Sequence, residues 1–274
     1  MIIQQTSNKI DDDRFNERIV SYLVEVTDET IQSLLTLQKQ TNASKLICFT
    51  MPHCVNQLQH AGFSREGRIS GFFKGQDGIM MTKYFHSERE ESNFHKVNED
   101  VMEIVQRDQK QYVSTDIMDN TILVEATEED AIELARLYEK VFKFYPTNVH
   151  DPKYLREQIG SDYVFVVMKE NGKIISAASA YIQPEYNCAE ITDCVTDPDY
   201  RGNSLLSPIV IKLEEILKEK QIQCAYSLTR AQSVGMNLTV KRLGYTYEGR
   251  LKNNCKIFTG FEDMNIWTKQ IDVE

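Results

Sequence analysis

The stretch that decides the fold runs from Cys188 to Leu217 and reads CAEITDCVTDPDYRGNSLLSPIVIKLEEIL. Residues 188–196 combine small, β-branched and alternating polar residues, which is typical of a strand. The strand ends at Pro198, because proline cannot donate to a ladder. From Leu205 the apolar residues recur at helical spacing, which predicts an amphipathic helix. A strand, a small-residue loop with one arginine and a helix N-terminus together favour a phosphate group, since free backbone N–H groups and the helix dipole face the anion.

At these residues the chain resembles the GNAT superfamily of N-acetyltransferases, whose loop reads Gln/Arg-x-x-Gly-x-Gly/Ala. Arg201 and Gly202 match this loop, whereas Ser204 and Leu206 replace small residues of the family. The resemblance implies binding of acetyl-CoA as co-substrate. Its pyrophosphate would contact Arg201, Gly202, Asn203, Ser204, Leu205 and Leu206. Its pantetheine arm would contact Cys194, Val195 and Thr196, with a backbone N–H polarising the thioester.

The order of predicted elements after residue 120 agrees with this resemblance. We predict a strand, two helices, three antiparallel strands, a helix, a strand, a helix and two closing strands. This is the order of the GNAT acyl-CoA N-acyltransferase fold. We therefore expect an α/β (α+β) protein whose mixed, mostly antiparallel sheet is flanked by helices.

An internal echo predicts two related domains, residues 1–119 and 120–274. The segment GFSREGRI at 62–69 matches GYTYEGRL at 244–251, and each follows a predicted strand and helix. The first domain is then a smaller, degenerate GNAT-like unit without a phosphate loop. The charged residues 86–111 are interpreted as a linker or surface helix. Two roles stay open for the first domain: it walls the substrate site, or it mediates a homodimer.

Composition restricts the classes of partner expected to bind this protein. The net charge of −10 argues against nucleic acid and membrane surfaces, which attract lysine and arginine patches, and is compatible with a small cationic amine. The six cysteines have no zinc spacing and the five histidines form no spaced cluster, so no metal is expected. The N-terminus has no apolar signal region. We expect a cytoplasmic protein with buried free thiols.

The acceptor amine must be presented neutral, although a lysine-like amine has a pKa near ~10.4, so a base or a water chain must remove its proton. Glu190 and Asp193 are the carboxylates nearest the expected site. On a regular strand they fall on opposite faces, so at most one is expected to face a given pocket. The hypothesis is that one of them anchors the amine and acts as base, through water. The alternative is an ordinary ion pair.

Other parts of the family's machinery match less well. Many GNAT enzymes protonate the departing thiolate with a tyrosine of the last helix, where Val240 stands in this chain. That leaves water, Tyr226, Tyr247 or no group at all. Ser233 occupies the position of a CoA-contacting asparagine, and Asn237 follows one turn later.

The tail carries a narrower resemblance. LKNNC at 251–255 and TGFEDMNIW at 259–267 resemble the ending of the β-lysine N-acetyltransferases. This implies acetylation of the terminal (N6) amine of β-lysine by direct transfer through a ternary complex. Asn253 and Asn254 would take the substrate carboxylate unless they only form a turn, and Asp263 is one candidate for its second ammonium. The alternatives are another cationic amine, such as lysine or a polyamine, and an inactive acyl-CoA-binding regulatory module.

Overall fold

Twelve strands form one continuous sheet in the computed structural model, which describes residues 8–112, 120–257 and 260–273. The strands are β1 (Lys9–Asp13), β2 (Arg18–Leu23), β3 (Lys45–Thr50), β4 (Ser64–Phe73), β5 (Gln76–Tyr84), β6 (Thr121–Glu125), β7 (Tyr163–Glu170), β8 (Lys173–Gln183), β9 (Cys188–Thr196), β10 (Cys224–Arg230), β11 (Thr246–Ile257) and β12 (Gly260–Gln270). The helices are α1 (Asp28–Thr41), α2 (Val55–His60), α3 (Ser87–Glu90), α4 (His95–Arg107), α5 (Ala131–Val141), α6 (Pro152–Gln158), α7 (Leu206–Glu219) and α8 (Val234–Arg242). None of these described helices has both the length and the apolar character needed to cross a bilayer.

The strands lie in the order β1-β2-β3-β5-β4-β11-β12-β10-β9-β8-β7-β6. Among the described strand pairs only β2–β3 and β9–β10 are parallel, and the others are antiparallel. Helices cover the sheet. The predicted mixed, mostly antiparallel sheet flanked by helices is therefore confirmed.

The same order of elements occurs twice along the chain. β2, α1, β3, α2, β4 and β5 in the first half correspond to β9, α7, β10, α8, β11 and β12 in the second. The halves meet where β4 pairs with β11, and the paired residues there are Gly67 and Gly249, which are equivalent positions of the internal echo. The predicted boundary at residue 119 belongs to residues 113–119, which lie outside the described residues. The division into two domains stays a prediction.

The charged residues 86–111 contain a surface helix, α4, as predicted, and its inner face is buried. Val101, Met102 and Val105 form a buried face that packs in one core cluster with Val240 of α8. Lys241 Nζ also donates to the backbone carbonyl of Val105, at 2.6 Å. The charged residues cover only the outer face, so α4 fastens the first half onto the second.

The hairpin between β7 and β8 shows how local chemistry fixes the sheet. Its turn residues Asn171 and Gly172 have φ 49° and 84°, the pair of positive φ values that a two-residue hairpin turn with the twist of the strands requires. The pairing closes at Glu170 opposite Lys173. The Asn-Gly pair is therefore the local signal for this hairpin.

Two helix layers hold the second half from opposite sides. Ile209 and Leu213 of α7 pack with Val240 of α8 in the cluster on one face. Leu134 of α5 and Leu155 of α6 pack in a separate cluster on the other face. The core thus fixes the start of α7, which belongs to the predicted phosphate site, relative to β9.

Candidate active site

Strands β9 and β10 begin as neighbours and then separate. Their parallel ladder has three residue pairs and ends at Glu190 opposite Tyr226, whereas β9 continues to Thr196 and β10 to Arg230. Beyond that point no described strand lies between them, and their facing backbone edges border a gap. Backbone N–H and C=O groups at such a gap can bond a ligand.

One cleft of about 940 Å³ occupies this gap and extends beyond it at both ends. The end near α7 is lined by Arg201, Gly202, Ser204, Leu205 and Leu206. The middle is lined by Glu190, Asp193, Cys194, Val195, Thr196, Tyr226 and Ser233. The far end is lined by first-half residues, among them Asp11, Asp13, Arg18, Val20 and Tyr22. Most of the predicted site residues are thus brought together.

Glu190 and Asp193 lie on the same face of the sheet, so the prediction of opposite faces is wrong. Glu190 pairs with Tyr181 of β8, and Ser179, two residues earlier on β8, donates its Oγ hydrogen to Asp193 Oδ2 at 2.7 Å. Because Ser179 and Tyr181 share a face, both carboxylates lie on that face. The cause is a β-bulge: Asp193 has φ 50°, and β9 has one residue more than β8 between the pairs on either side of Ala178.

Glu190 has the properties of a general base. Burial raises the pKa of the Glu190 carboxyl to about 7, and the charge of Asp193 acts in the same direction. A hydrogen bond from the Tyr226 hydroxyl to Oε2, at 3.3 Å, and the charge of Arg18 act in the opposite direction. A carboxyl group with a pKa near neutral pH can accept a proton and release it again.

Asp193 is already engaged by hydroxyl groups. Its Oδ2 accepts from Ser179, its Oδ1 accepts from Thr147 at 3.5 Å, and the Tyr145 hydroxyl also bonds the carboxylate. Burial raises the pKa of Asp193, and these hydroxyl contacts partly offset the rise. Asp193 therefore holds the bulge in place and adds negative charge beside Glu190.

The loop before α7 presents an open helix N-terminus. Gly202 has φ 88° and Ser204 has φ 56°, the left-handed backbone that favours glycine, which the family has at the latter position. No described side chain caps α7, and its first turn contains no acidic residue. The N–H groups of Leu205 and Leu206, which have no acceptor among the described residues, and the helix dipole therefore face the mouth of the cleft, beside the positive charge of Arg201. These features fit the pyrophosphate of acetyl-CoA.

The equivalent helix of the first half shows the opposite arrangement. At the start of α1, Thr27 Oγ1 accepts from Thr30 N at 3.2 Å, and Asp28 and Glu29 occupy the first turn. The side-chain cap satisfies an N–H group and the two carboxylates repel an anion. This geometry explains why the first half has no phosphate loop.

The end of β9 offers a polar but unreactive wall. Ser176 Oγ donates to the Val195 carbonyl at 2.9 Å and lies 2.8 Å from Thr196 Oγ1. Burial, with the charges of the two nearby carboxylates, raises the pKa of the Cys194 thiol to about 12. The thiol stays protonated at neutral pH and is a poor nucleophile.

Two predicted cofactor contacts, Asn203 and Asn237, do not line the cleft. Asn203 is exposed and its Nδ2 donates to a backbone carbonyl of the preceding turn at 3.0 Å. Asn237 is fully buried: its Nδ2 donates to the carbonyls of Arg230 and Ser233, and its Oδ1 accepts from Trp267 Nε1 at 2.9 Å. Asn237 therefore links α8 to β10 and β12. Of the two cofactor contacts predicted at this helix, only Ser233, the residue before α8, lines the cleft.

Asn253 and Asp263 also lie away from the cleft, and they bind each other. The Asn253 backbone N donates to Asp263 Oδ1 at 2.8 Å, and Asp263 Oδ2 accepts from Ser92 Oγ and Asn98 Nδ2. Asn253 Nδ2 donates to the carbonyl of Glu91 at 2.7 Å. Their polar atoms join the segment around α4 to the β11–β12 hairpin. The predicted substrate contacts of these two residues are thus replaced by a structural junction.

Asn254 alone of the three predicted substrate contacts lines the cleft. It is fully buried, and its Oδ1 has no hydrogen-bond partner among the described residues. The backbone carbonyl of Asn254 accepts a hydrogen bond from Arg18 Nη1 at 3.1 Å. Thr259, part of the tail motif, lies outside the described residues.

Of the two tyrosines considered as proton donors to the thiolate, only one lines the cleft. Val240 is fully buried in the core. Tyr226 lines the cleft, whereas Tyr247 does not. The Tyr226 hydroxyl lies 3.3 Å from both Gln183 Oε1 and Glu190 Oε2, and burial raises its pKa far above neutral pH.

Sequence reasoning missed the first-half residues of the cleft. Asp11 and Asp13 on β1, and Arg18, Val20 and Tyr22 on β2, all belong to the lining. The spacing of two residues places each set on one face of its strand. The alternation of Arg18, Val20 and Tyr22 was visible in the sequence and could have indicated a strand face with a polar end.

Comparison with known proteins agrees with the fold. The model of the acetyltransferase (GNAT) family matches residues 123–245. The chain is 35% identical to the N-acetyltransferase YodP of Bacillus subtilis, over 96% of this chain and 95% of that protein. It is 32% identical to a β-lysine N(6)-acetyltransferase of Methanosarcina mazei, over 89% of this chain and 97% of that protein.

A solved structure is similar in fold. The ribosomal-protein-S5-alanine acetyltransferase of Vibrio fischeri superposes with a TM-score of 0.50 at 14% identity, covering 59% of this chain and 98% of that one. The near full-length relatives decide the assignment. The chain is an N-acetyltransferase that belongs to the GNAT family.

Proposed function

We propose that this enzyme transfers the acetyl group of acetyl-CoA to the terminal (N6) amine of β-lysine, directly within a ternary complex. The GNAT family uses acetyl-CoA and an amine acceptor. The named substrate is supported by the similarity to the Methanosarcina mazei relative and by the tail motif. The observation that carries the proposal is one cleft that joins the helix N-terminus at residues 201–206, the carboxyl group of Glu190 and the first-half residues at its far end.

The donor end is assigned to β9 and α7. The loop and the first turn of α7 hold the pyrophosphate through backbone N–H groups, with Arg201 adding charge. The pantetheine arm follows the separated edge of β9 along Cys194, Val195 and Thr196. A backbone N–H at this edge donates to the thioester carbonyl oxygen and stabilises the negative charge that develops there.

Glu190 is assigned as the base. It takes one proton from the bound ammonium, through a water molecule, and leaves a neutral amine. The amine nitrogen forms a bond to the thioester carbon, and the bond from that carbon to sulfur breaks. The nitrogen, which carries one extra proton after the bond forms, releases it to water, and the departing thiolate gains a proton from water, since Val240 has no proton to give. The products are the N-acetylated amine and CoA.

Direct transfer is favoured over an acyl-enzyme intermediate by the state of Cys194. The two carboxylates that raise the pKa of the Cys194 thiol would oppose a second anion at its sulfur. A neutral thiol does not attack a thioester at a useful rate. Amine and acetyl-CoA must then occupy the cleft together.

Two other functions fit some features of the chain. Another cationic amine, such as lysine or a polyamine, would use the same donor end and the same base. An inactive acyl-CoA-binding module is favoured by Ser204, Leu206 and Val240, which depart from the family's pattern. The pKa of Glu190 near neutral pH favours an enzyme over such a module.

The deciding experiment is thiol release from acetyl-CoA with β-lysine, lysine, spermidine and an aminoglycoside, paired with acetyl-CoA binding by calorimetry. A strong preference for β-lysine supports the proposal. Turnover of a different amine keeps the chemistry and removes the named substrate. Acetyl-CoA binding without turnover across the panel would favour the regulatory module.

We place the reaction in the cytoplasm. The six cysteines are free thiols in the structure, which suits a reducing compartment. A homodimer built through the first half is a further proposal, which sedimentation of the purified protein would test.

A further inference from the structure

The far end of the cleft contains an arginine with hydrogen-bond donors to spare. Arg18 Nε donates to Asp13 Oδ2 at 2.8 Å, and its Nη1 donates to the Asn254 carbonyl and to Cys255 Sγ. Its Nη2 has no hydrogen-bond partner among the described residues. The Arg18 side chain is only 15% exposed. A guanidinium held on one edge and open on the other can bind a carboxylate.

Three positively charged side chains, Arg18, Lys45 and Arg89, lie close enough to act on one another electrostatically. Arg18 is paired with Asp13, and the fully buried Lys45 is paired with Glu66 at 2.9 Å. Arg89 is 3% exposed, and its Nε and Nη1 lack hydrogen-bond partners within the described part of the chain. Burial, and after it the charge of Arg18, lowers the pKa of Arg89 to about 10. A buried cation without an ion-pair partner among the described residues is stabilised by an anion.

An apolar passage connects this charged end to the base. Val20 and Tyr22 follow Arg18 on the same face of β2, and Ile47 and Phe49 of β3 line the cleft beside them. Tyr22 and Phe49 stack with ring centroids 4.7 Å apart. This wall suits a short methylene chain with a charged group at each end.

We propose that the first half of the chain is the acceptor-recognition site, in which Arg18 binds the carboxylate of an amino-acid acceptor whose distant amine lies at Glu190. Asp13 and the Asn254 carbonyl position the guanidinium, and the unpartnered Asn254 Oδ1 accepts from the acceptor's second ammonium. The first half is therefore needed to choose the acceptor, beyond any structural role. This inference rests on the proposed acetyl transfer and names how its acceptor is selected.

The test compares β-lysine with 1,4-diaminopentane, which is the same molecule with its carboxyl group replaced by hydrogen. A carboxylate lost from a charge-assisted contact is expected to lower kcat/KM of the native enzyme roughly 100-fold for the diamine. Arg18→Met should lower kcat/KM for β-lysine by a similar factor and change it for the diamine by less than about threefold. Arg14→Met is the matched control, because Arg14 is 81% exposed and lies outside the cleft.

Equal kcat/KM for both acceptors in the native enzyme would overturn the inference while leaving the acetyl transfer intact. The inference would also be overturned if Arg18→Met lowered kcat/KM for both acceptors by the same factor while its circular dichroism spectrum showed the native fold. If Arg18→Met does not fold, Arg18→Lys keeps the charge but loses the fork, and its β-lysine preference must fall. Titration of β-lysine into the enzyme–CoA complex does not depend on turnover: binding that Arg18→Met abolishes supports the inference, and no binding to the native protein contradicts it.

Discussion

Gly67 lies directly opposite Gly249 on the β4–β11 pair, so the two halves of the sheet meet backbone to backbone. A Cβ atom at Gly249 would lie 2.4 Å from the Glu66 carbonyl oxygen and 2.6 Å from the Gly67 Cα. Gly249 also has φ 145°, which other residues rarely adopt. The contact lets the first half approach closely enough to complete the cleft.

Gly249→Ala should therefore destabilise the protein by more than about 2 kcal/mol, since strain at φ and overpacking against backbone add. Urea unfolding followed by circular dichroism measures this change. Gly235→Ala is the control: no described heavy atom lies within 4 Å of its added Cβ, and α8 gains a better helix former. Equal stability of the two variants would show that the halves do not need this approach.

Glu190 should set the pH dependence of the rate. Only the ionised carboxylate accepts a proton, so kcat/KM for the amine is expected to rise with pH and level off above about 7. Glu190→Gln should lower kcat roughly 100- to 10,000-fold and remove this rise. Assays between pH about 5.5 and 8.5 measure both, with Asp199→Asn as a carboxylate control outside the cleft. A variant that keeps the rise would assign the base elsewhere.

Ionisation of the buried Glu190 carboxyl group should lower the free energy of unfolding as pH rises. The folded-state pKa of Glu190 lies above the ordinary value of 4.5, so the folded protein favours the protonated form. Its contribution to stability is complete below pH 4.5 and is lost as pH rises through about 7. At pH about 8, Glu190→Gln should be more stable than the native protein by up to about 3 kcal/mol. The difference should vanish in urea titrations near pH about 4, and a constant difference would contradict the assignment.

The sequence predicts the elements of the second half because their boundaries are local. Asn171 and Gly172 predict a hairpin, and Pro198 ends β9 before the loop at Arg201. These signals depend on a few adjacent residues. The donor end of the site could be predicted for the same reason.

The acceptor end could not be predicted because it depends on contacts between distant parts of the chain. Arg18 contacts the carbonyl of Asn254, 236 residues away. The bulge at Asp193 is also invisible in the residue pattern, yet it moves this carboxylate to the face of Glu190. Asn253 and Asp263 looked like substrate contacts because motif position does not reveal which way a side chain faces.

Cys194 distinguishes direct transfer from a mechanism with an acyl-enzyme. It lines the cleft where the thioester is expected, but its pKa of about 12 keeps the thiol protonated. Cys194→Ala should retain kcat within about threefold, because removing a half-buried, protonated thiol changes packing and little of the chemistry. Initial rates at varied amine and acetyl-CoA should give intersecting lines in both proteins, and mass spectrometry should detect no acetylated enzyme after acetyl-CoA alone. Cys48→Ala controls for packing, because this buried cysteine packs in a cluster separate from the cleft-lining Ile47 and Phe49. Parallel lines, or an acetyl group on Cys194 together with loss of turnover in Cys194→Ala, would replace the ternary complex with a two-step transfer.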